Sequence, residues 1–200
     1  MGIPVARSRS PLRLVTSPRR EALVDSSTLG MLLFVGTEVM FFAGLISAFS
    51  IARASAGANW PPEGQPRLPA AETALNTAAL LLSALTLFLA GRAYREDRAR
   101  ARAPLLATLL LGTFFVGFQG VEWVSLLGQG LTLTSSQLGS FFYLIIGLHA
   151  AHAVAALGLL AYAYARLRRM RLARSTFGAA KVFWYFVVGV WPVLYGLVYL

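Results

Sequence analysis

Residues 73–90 read Thr73-Ala74-Leu75-Asn76-Thr77-Ala78-Ala79-Leu80-Leu81-Leu82-Ser83-Ala84-Leu85-Thr86-Leu87-Phe88-Leu89-Ala90, with no charge, proline or glycine. Coiled into a helix at about 1.5 Å per residue, this stretch is about 27 Å long, close to the thickness of a bilayer's hydrocarbon core. Four further apolar segments, at 28–52, 105–127, 138–165 and 177–200, are as long or longer. Of the 200 residues, 57% are hydrophobic and 13% charged, the latter roughly half the share usual in a soluble domain. The expectation is an all-α, polytopic membrane protein. A five-helix membrane domain covers 28–200, behind a basic tail over 1–27.

Charge fixes the expected orientation. The chain carries 18 Lys and Arg against 8 Asp and Glu, a formal net charge of +10. Arg7, Arg9, Arg13, Arg19 and Arg20 precede the first helix, and Arg92, Arg95, Arg98, Arg100 and Arg102 join the second to the third. Arg166, Arg168, Arg169, Arg171, Arg174 and Lys181 fall around the link between the fourth and fifth. Only Arg53 and Arg67 belong to the opposite side. By the positive-inside rule, a cytoplasmic N-terminus and an outside C-terminus follow. The basic excess therefore reports topology and not a nucleic-acid partner.

Several chemistries are excluded or disfavoured. The chain has no cysteine, hence no disulfide framework, thiolate zinc site, iron–sulfur cluster or thiol nucleophile. Gly-rich phosphate loops, zinc-protease helices and Ser-centred elbows do not occur. The first 27 residues contain prolines, serines and arginines but no apolar run, unlike a cleaved signal peptide.

Ionisable groups at membrane depth each cost roughly 2.5 kcal/mol or more, so they face protein, a partner or water. Four such groups stand out: Glu38, Glu122, His149 and His152. Glu38 lies among Phe34, Val39, Met40, Phe41 and Phe42, surroundings that disfavour a bare carboxylate unless a cation or polar partner approaches. It is the candidate proton-related residue, with a hydrogen-bonded structural carboxyl as the simpler reading. Gln119 and Glu122 are three apart, as are His149 and His152, so each pair shares a helix face. They are expected to form a polar seam between helices, with His149 contacting Glu122 or Glu38. A metal site built from the two carboxyls and two imidazoles is chemically possible. A haem is not expected, because histidines at i and i+3 cannot ligate both faces of a porphyrin.

Glycines and alanines in the third and fourth segments, among them Gly112, Gly117, Gly147 and Ala151, favour close helix approach. Trp60, beside two prolines, and Trp184 and Trp191 in the last segment are expected as interface anchors or packing groups.

The order of these landmarks resembles that of a known family. Glu38-Val39-Met40-Phe41-Phe42, Trp60-Pro61-Pro62, Leu75-Asn76-Thr77, Gln119 with Glu122, Gly147-Leu148-His149-Ala150-Ala151-His152 and Phe183-Trp184-Tyr185-Phe186-Val187 with Trp191 resemble subunit III of the haem–copper oxidases, in its short five-helix form. The resemblance runs from about Thr28 to the C-terminus.

That resemblance implies an accessory, non-redox subunit that supports the stability and proton uptake of a terminal respiratory oxidase. Haems and copper would sit in partner subunits, with subunit I in direct contact, subunit II and small subunits nearby, and structural phospholipid bound. The setting would be a bacterial cytoplasmic membrane. The family's membrane-embedded, carbodiimide-reactive carboxyl maps onto Glu38, its Gln–Glu pair onto Gln119 and Glu122, and its histidine pair onto His149 and His152. One departure stands in the last helix, where the family's Trp-His-Phe-Val-Asp is replaced by Trp184-Tyr185-Phe186-Val187-Val188. A subunit of a quinol oxidase, the paralogue associated with nitric oxide reductase, and a small transporter are the other readings.

Overall fold

The computed structural model describes residues 25–60, 62, 66 and 68–200. The basic stretch up to position 24, together with Pro61 and Arg67, lies outside the described residues. Five long helices account for nearly all of the rest: α1 Ser26–Ala56, α2 Ala70–Glu96, α3 Arg102–Gly128, α4 Gln137–Arg168 and α5 Arg174–Leu194. All five are long and apolar enough to cross a membrane. Each begins before the apolar segment read from the sequence, and α1 to α4 also run past its end. Nothing stops a helix where its apolar run stops, and the arginines of the last turns of α1, α2 and α4 suit a helix C-terminus.

Helix ends are closed locally. Gly130, at φ +90, lets the chain turn back after α3, so that the Leu131 amide donates to the Leu126 carbonyl at 3.0 Å. Ser136 caps α4, its hydroxyl accepting from the Gly139 amide. Pro192 lies inside α5, where its ring cannot supply an amide hydrogen. Three residues on, the helix widens into one π-type turn, Tyr195–Tyr199.

The interior follows a 3–4 alternation. On α2 the buried positions Thr73, Asn76, Leu80, Ser83, Leu87, Ala90 and Tyr94 follow it, with Gly91 buried beside Ala90. The same spacing runs from Leu105 to Leu126 on α3, from Phe142 to Leu167 on α4 and from Phe177 to Val198 along α5 and its last turn. Steps of three and four keep one seam facing a partner helix. α2 packs on α3, α3 on α4, and α4 on α5, while α5 also meets α1 and α2. Outside the seams, Leu81, Leu85, Phe88, Leu110, Val121 and Val154 point outward, as lipid-facing residues do.

Small and polar residues make the seams work. A Cβ at Gly112 would lie 2.6 Å from Cη2 of Trp184, so only glycine admits the indole here. Trp184 Nε1 then donates to Ser83 Oγ at 3.0 Å, and Trp191 Nε1 to Thr77 Oγ1 at 2.8 Å. Of the two roles expected for these tryptophans, packing is the one seen, and the interface-anchor reading is corrected for Trp184 and Trp191. Trp184 and Trp191 are fully buried and join α2 to α5 inside the bundle, because each indole N–H finds a hydroxyl there instead of water. Trp60 is half-buried and meets the Phe49 ring edge-on at 5.6 Å.

Candidate functional site

The four ionisable landmarks do not form one seam. Glu38 pairs with His152, Glu122 is held elsewhere by neutral partners, and His149 stands apart from both carboxyls.

Glu38 of α1 and His152 of α4 meet where both helices flank α5. Their Oε2 and Nε2 atoms are 3.1 Å apart, with the side chains 19% and 15% exposed. His152 Nδ1 lies 2.7 Å from the Leu148 carbonyl. A carbonyl only accepts, so Nδ1 must carry a hydrogen, and a neutral ring then presents a lone pair at Nε2. A contact of 3.1 Å between that nitrogen and a carboxyl oxygen requires one proton between them. Either Glu38 donates as an acid or His152 donates as an imidazolium, and the pair is neutral overall in both cases. Phe34, Phe42, Phe183 and Phe186 place their rings 5.5–6.5 Å from the imidazole. Such an apolar wall favours the neutral pair over a lone charge.

Glu122 of α3 has different company. Gln119 Nε2, one turn earlier, donates to its Oε2 at 2.7 Å, and Thr73 Oγ1 of α2 lies 3.0 and 3.2 Å from its two oxygens. The same threonine hydroxyl is 2.8 Å from the Pro69 carbonyl, so its single hydrogen serves one acceptor at a time. Gln119 Nε2 also donates to the Tyr199 hydroxyl at 2.9 Å. The widened turn after Pro192 brings that tyrosine into place, and puts Tyr195 within 2.8 Å of the Ala70 carbonyl. Three elements thus converge on one carboxyl through neutral hydrogen-bond partners.

His149 is the residue whose expected contact is not made. Facing Trp191 at 5.2 Å and Phe42 at 6.2 Å between ring centres, it reaches neither Glu122 nor Glu38, and neither ring nitrogen has a protein hydrogen-bond partner. The three-residue step to His152 is about 300° around the helix, enough to turn the two imidazoles toward different neighbours. Both ring nitrogens of His149 and Oε1 of Gln119 are buried without partners, and both residues line a cavity of about 160 Å³ between α3, α4 and Trp191. The four-residue metal set considered from the sequence is not assembled. Among the described residues, no three such side chains converge.

Sequence reading missed Thr73 and Tyr199. Thr73 sits three residues before Asn76 on the α2 seam, and its signal was that spacing. Tyr199 reads from the sequence only as one more aromatic of the last segment, an anchor or packing group, since its place beside Gln119 depends on the widened turn.

Residues 17–200 match the family model described as Cytochrome c oxidase subunit III. The chain belongs to that family. A probable cytochrome c oxidase subunit 3 of Nocardia farcinica is 33% identical over 180 residues, covering 86% of each chain. Its counterpart in Mycobacterium leprae is 35% identical over 176 residues, with 86% of each covered. The cytochrome c oxidase subunit 3 of Rhizopus stolonifer is 34% identical over 186 residues, taking in 89% of this chain but 65% of the fungal one. The matched region thus takes in most of the length of the bacterial relatives and about two thirds of the fungal one. The chain is a multi-pass membrane subunit III of a haem–copper oxidase, and works in a complex with other oxidase subunits. Of the two departures in the last helix, Val188 is buried at a position where a carboxyl would need a partner, while Tyr185 is exposed on the outer face of α5.

Proposed function

We propose that this subunit III supports the catalytic subunit of a cytochrome c oxidase by holding an exchangeable proton at the Glu38–His152 pair, and that it contributes no redox centre of its own. One observation carries the reading: His152 Nδ1 is committed to the Leu148 carbonyl while Nε2 faces Glu38 at 3.1 Å. The pair can pass its proton between Oε2 and Nε2 without creating net charge in an aromatic cage. A group of this kind can accept or release a proton when its surroundings change, as general acid–base groups do. Glu122, held by Thr73 and Gln119, serves instead to fix α2 against α3.

Haems and copper belong to subunits I and II in this reading, with subunit I in direct contact. The relatives' names favour cytochrome c as the electron donor. The exposed apolar face of α1, with Leu33, Met40 and Ile51, supports a helix that meets lipid or subunit I. The membrane is the bacterial cytoplasmic membrane, as the bacterial relatives support. The clustered cations of the α2–α3 and α4–α5 links support a cytoplasmic side for those links and for the N-terminus. Phospholipid is the remaining partner.

Affinity purification of the tagged chain from its native membrane in mild detergent, followed by haem spectra, tests the assignment. Co-purification of a haem protein in fixed ratio is expected. A chain that runs alone, or only with proteins lacking haem, would end the reading.

A further inference from the structure

We propose that the corner where the end of α2 meets the start of α5 binds the phosphate of an anionic phospholipid headgroup. The inference rests on the reading of the chain as a lipid-associated membrane subunit, and gives that lipid a place.

A pocket of about 330 Å³ there is lined by Gly91, Tyr94, Arg95, Arg174, Phe177 and Lys181. A fourth cation, Arg98, lies over the Tyr94 ring at 5.5 Å. The ion pairs among the described residues are Arg100 with Asp97 and His152 with Glu38, so none of these four cations has a carboxylate partner there. Lys181 is the telling member. The sequence pattern grouped it with the basic link, but it is the eighth residue of α5, about 10 Å along the helix from Arg174. It is half-buried, its Nζ 5.2 Å from the Phe177 ring centre. The side chain lies along Gly91, where a Cβ would stand 3.6 Å from Nζ, an ordinary contact distance.

An ammonium at that depth needs an anion, and one that enters from the bilayer surface meets it first. Guanidinium groups bind phosphate oxygens in matched pairs, and basic clusters at a membrane boundary attract anionic headgroups. Below Arg95 on the same face of α2, the exposed side chains of Phe88, Leu85 and Leu81 continue toward the membrane centre at steps of seven, three and four. This is a track suited to an acyl chain.

Native mass spectrometry of the lipid-stripped oxidase complex, and of the full chain alone, tests the proposal with phosphatidylglycerol, phosphatidylcholine and inorganic phosphate as probes. Phosphatidylglycerol should be retained several-fold better than phosphatidylcholine. Pairing Lys181→Met, which keeps the apolar stem, with Arg95→Gln should weaken its retention roughly 25-fold, at about fivefold per charge. Lys181→Arg should retain it. Three results would overturn the site: unchanged retention in the paired variant, equal retention of both lipids, or displacement by equimolar inorganic phosphate. Loss of an oxidase partner in place of lipid would do the same, because a protein carboxylate would then be the anion. A chain that binds phosphatidylglycerol yet co-purifies with no haem protein would sink the subunit assignment and leave the lipid site standing.

Discussion

Glu38 and Glu122 are both carboxyls inside membrane-spanning helices, and the protein treats them in opposite ways. Glu122 is held by two neutral partners, Thr73 and Gln119, with Tyr199 behind them. It belongs to the tightly zipped side of the molecule, where α2, α3 and α5 interlock through the buried seams. Glu38 has one partner, His152, and that partner can itself carry a proton. It stands on α1, which buries only Phe42, Phe49 and Ala52 over 31 residues. The lesson is that a carboxyl at membrane depth does not identify a proton site. What identifies one is whether the partner can take up the proton that the carboxyl releases.

The largest effect should come from the zipped side. Trp184→Ala empties the space over Gly112 and removes the indole donor to Ser83 Oγ, and should destabilise the purified chain by about 3–5 kcal/mol, the range for large aromatic truncations. Detergent-titrated unfolding followed by circular dichroism reads this out; a loss below 1 kcal/mol would mean that the seam packing is not what holds α2 to α5. Glu122→Leu should come next. It removes the shared acceptor of Thr73 and Gln119 and should lower stability by about 1–3 kcal/mol, leaving turnover of the fraction that assembles unchanged. If that fraction turned over slowly instead, the division of labour between the two carboxyls would be broken.

At the other site, His152→Leu alone should be worse than the pair of changes His152→Leu and Glu38→Leu. The single change leaves the largely covered Glu38 carboxyl without its one partner, whereas the double change removes both polar groups. The two effects should therefore fail to add by about 0.5–3 kcal/mol, measured in the same unfolding assay, and strict additivity would show that the 3.1 Å contact carries no energy. The smallest effect is expected for Trp191→Phe. It keeps most of the ring contact with Phe115 at 4.9 Å and loses one hydrogen bond to Thr77, for about 0.5–1.5 kcal/mol.

Sequence and structure agree best where physics leaves few choices. Five spans were legible because a bilayer demands long apolar runs, and the uncharged stretch from Thr73 to Ala90 leaves no alternative. The seams were not legible as hydrophobic periodicity, since lipid and protein interior are both apolar. The residues that mark them are polar or small: Thr73, Asn76, Ser83, Thr108, Gln119, Glu122 and His149 are all buried, and all fall on the 3–4 alternation of their helices. Glu38 and the two histidines could be named in advance because charge at membrane depth is rare. Which histidine meets Glu38 could not, since it depends on how α4 is rotated against α1. Trp184 and Trp191 misled for a related reason. A tryptophan in an apolar segment reads as an interface anchor until the hydroxyls of Ser83 and Thr77 are seen across the seam.

The central claim is that the Glu38–His152 pair holds a proton used during turnover, and Glu38→Gln isolates it. The amide fills the same space and can still donate to His152 Nε2, but carries no acidic proton. The direct measurement is oxygen consumption by the purified complex over many turnovers, compared with wild type at matched subunit III content and matched haem spectra. An unchanged haem spectrum, normal subunit content and a modestly slower or faster-decaying rate are expected. A rate and a decay indistinguishable from wild type, or a complex that has lost this subunit altogether, would contradict the account.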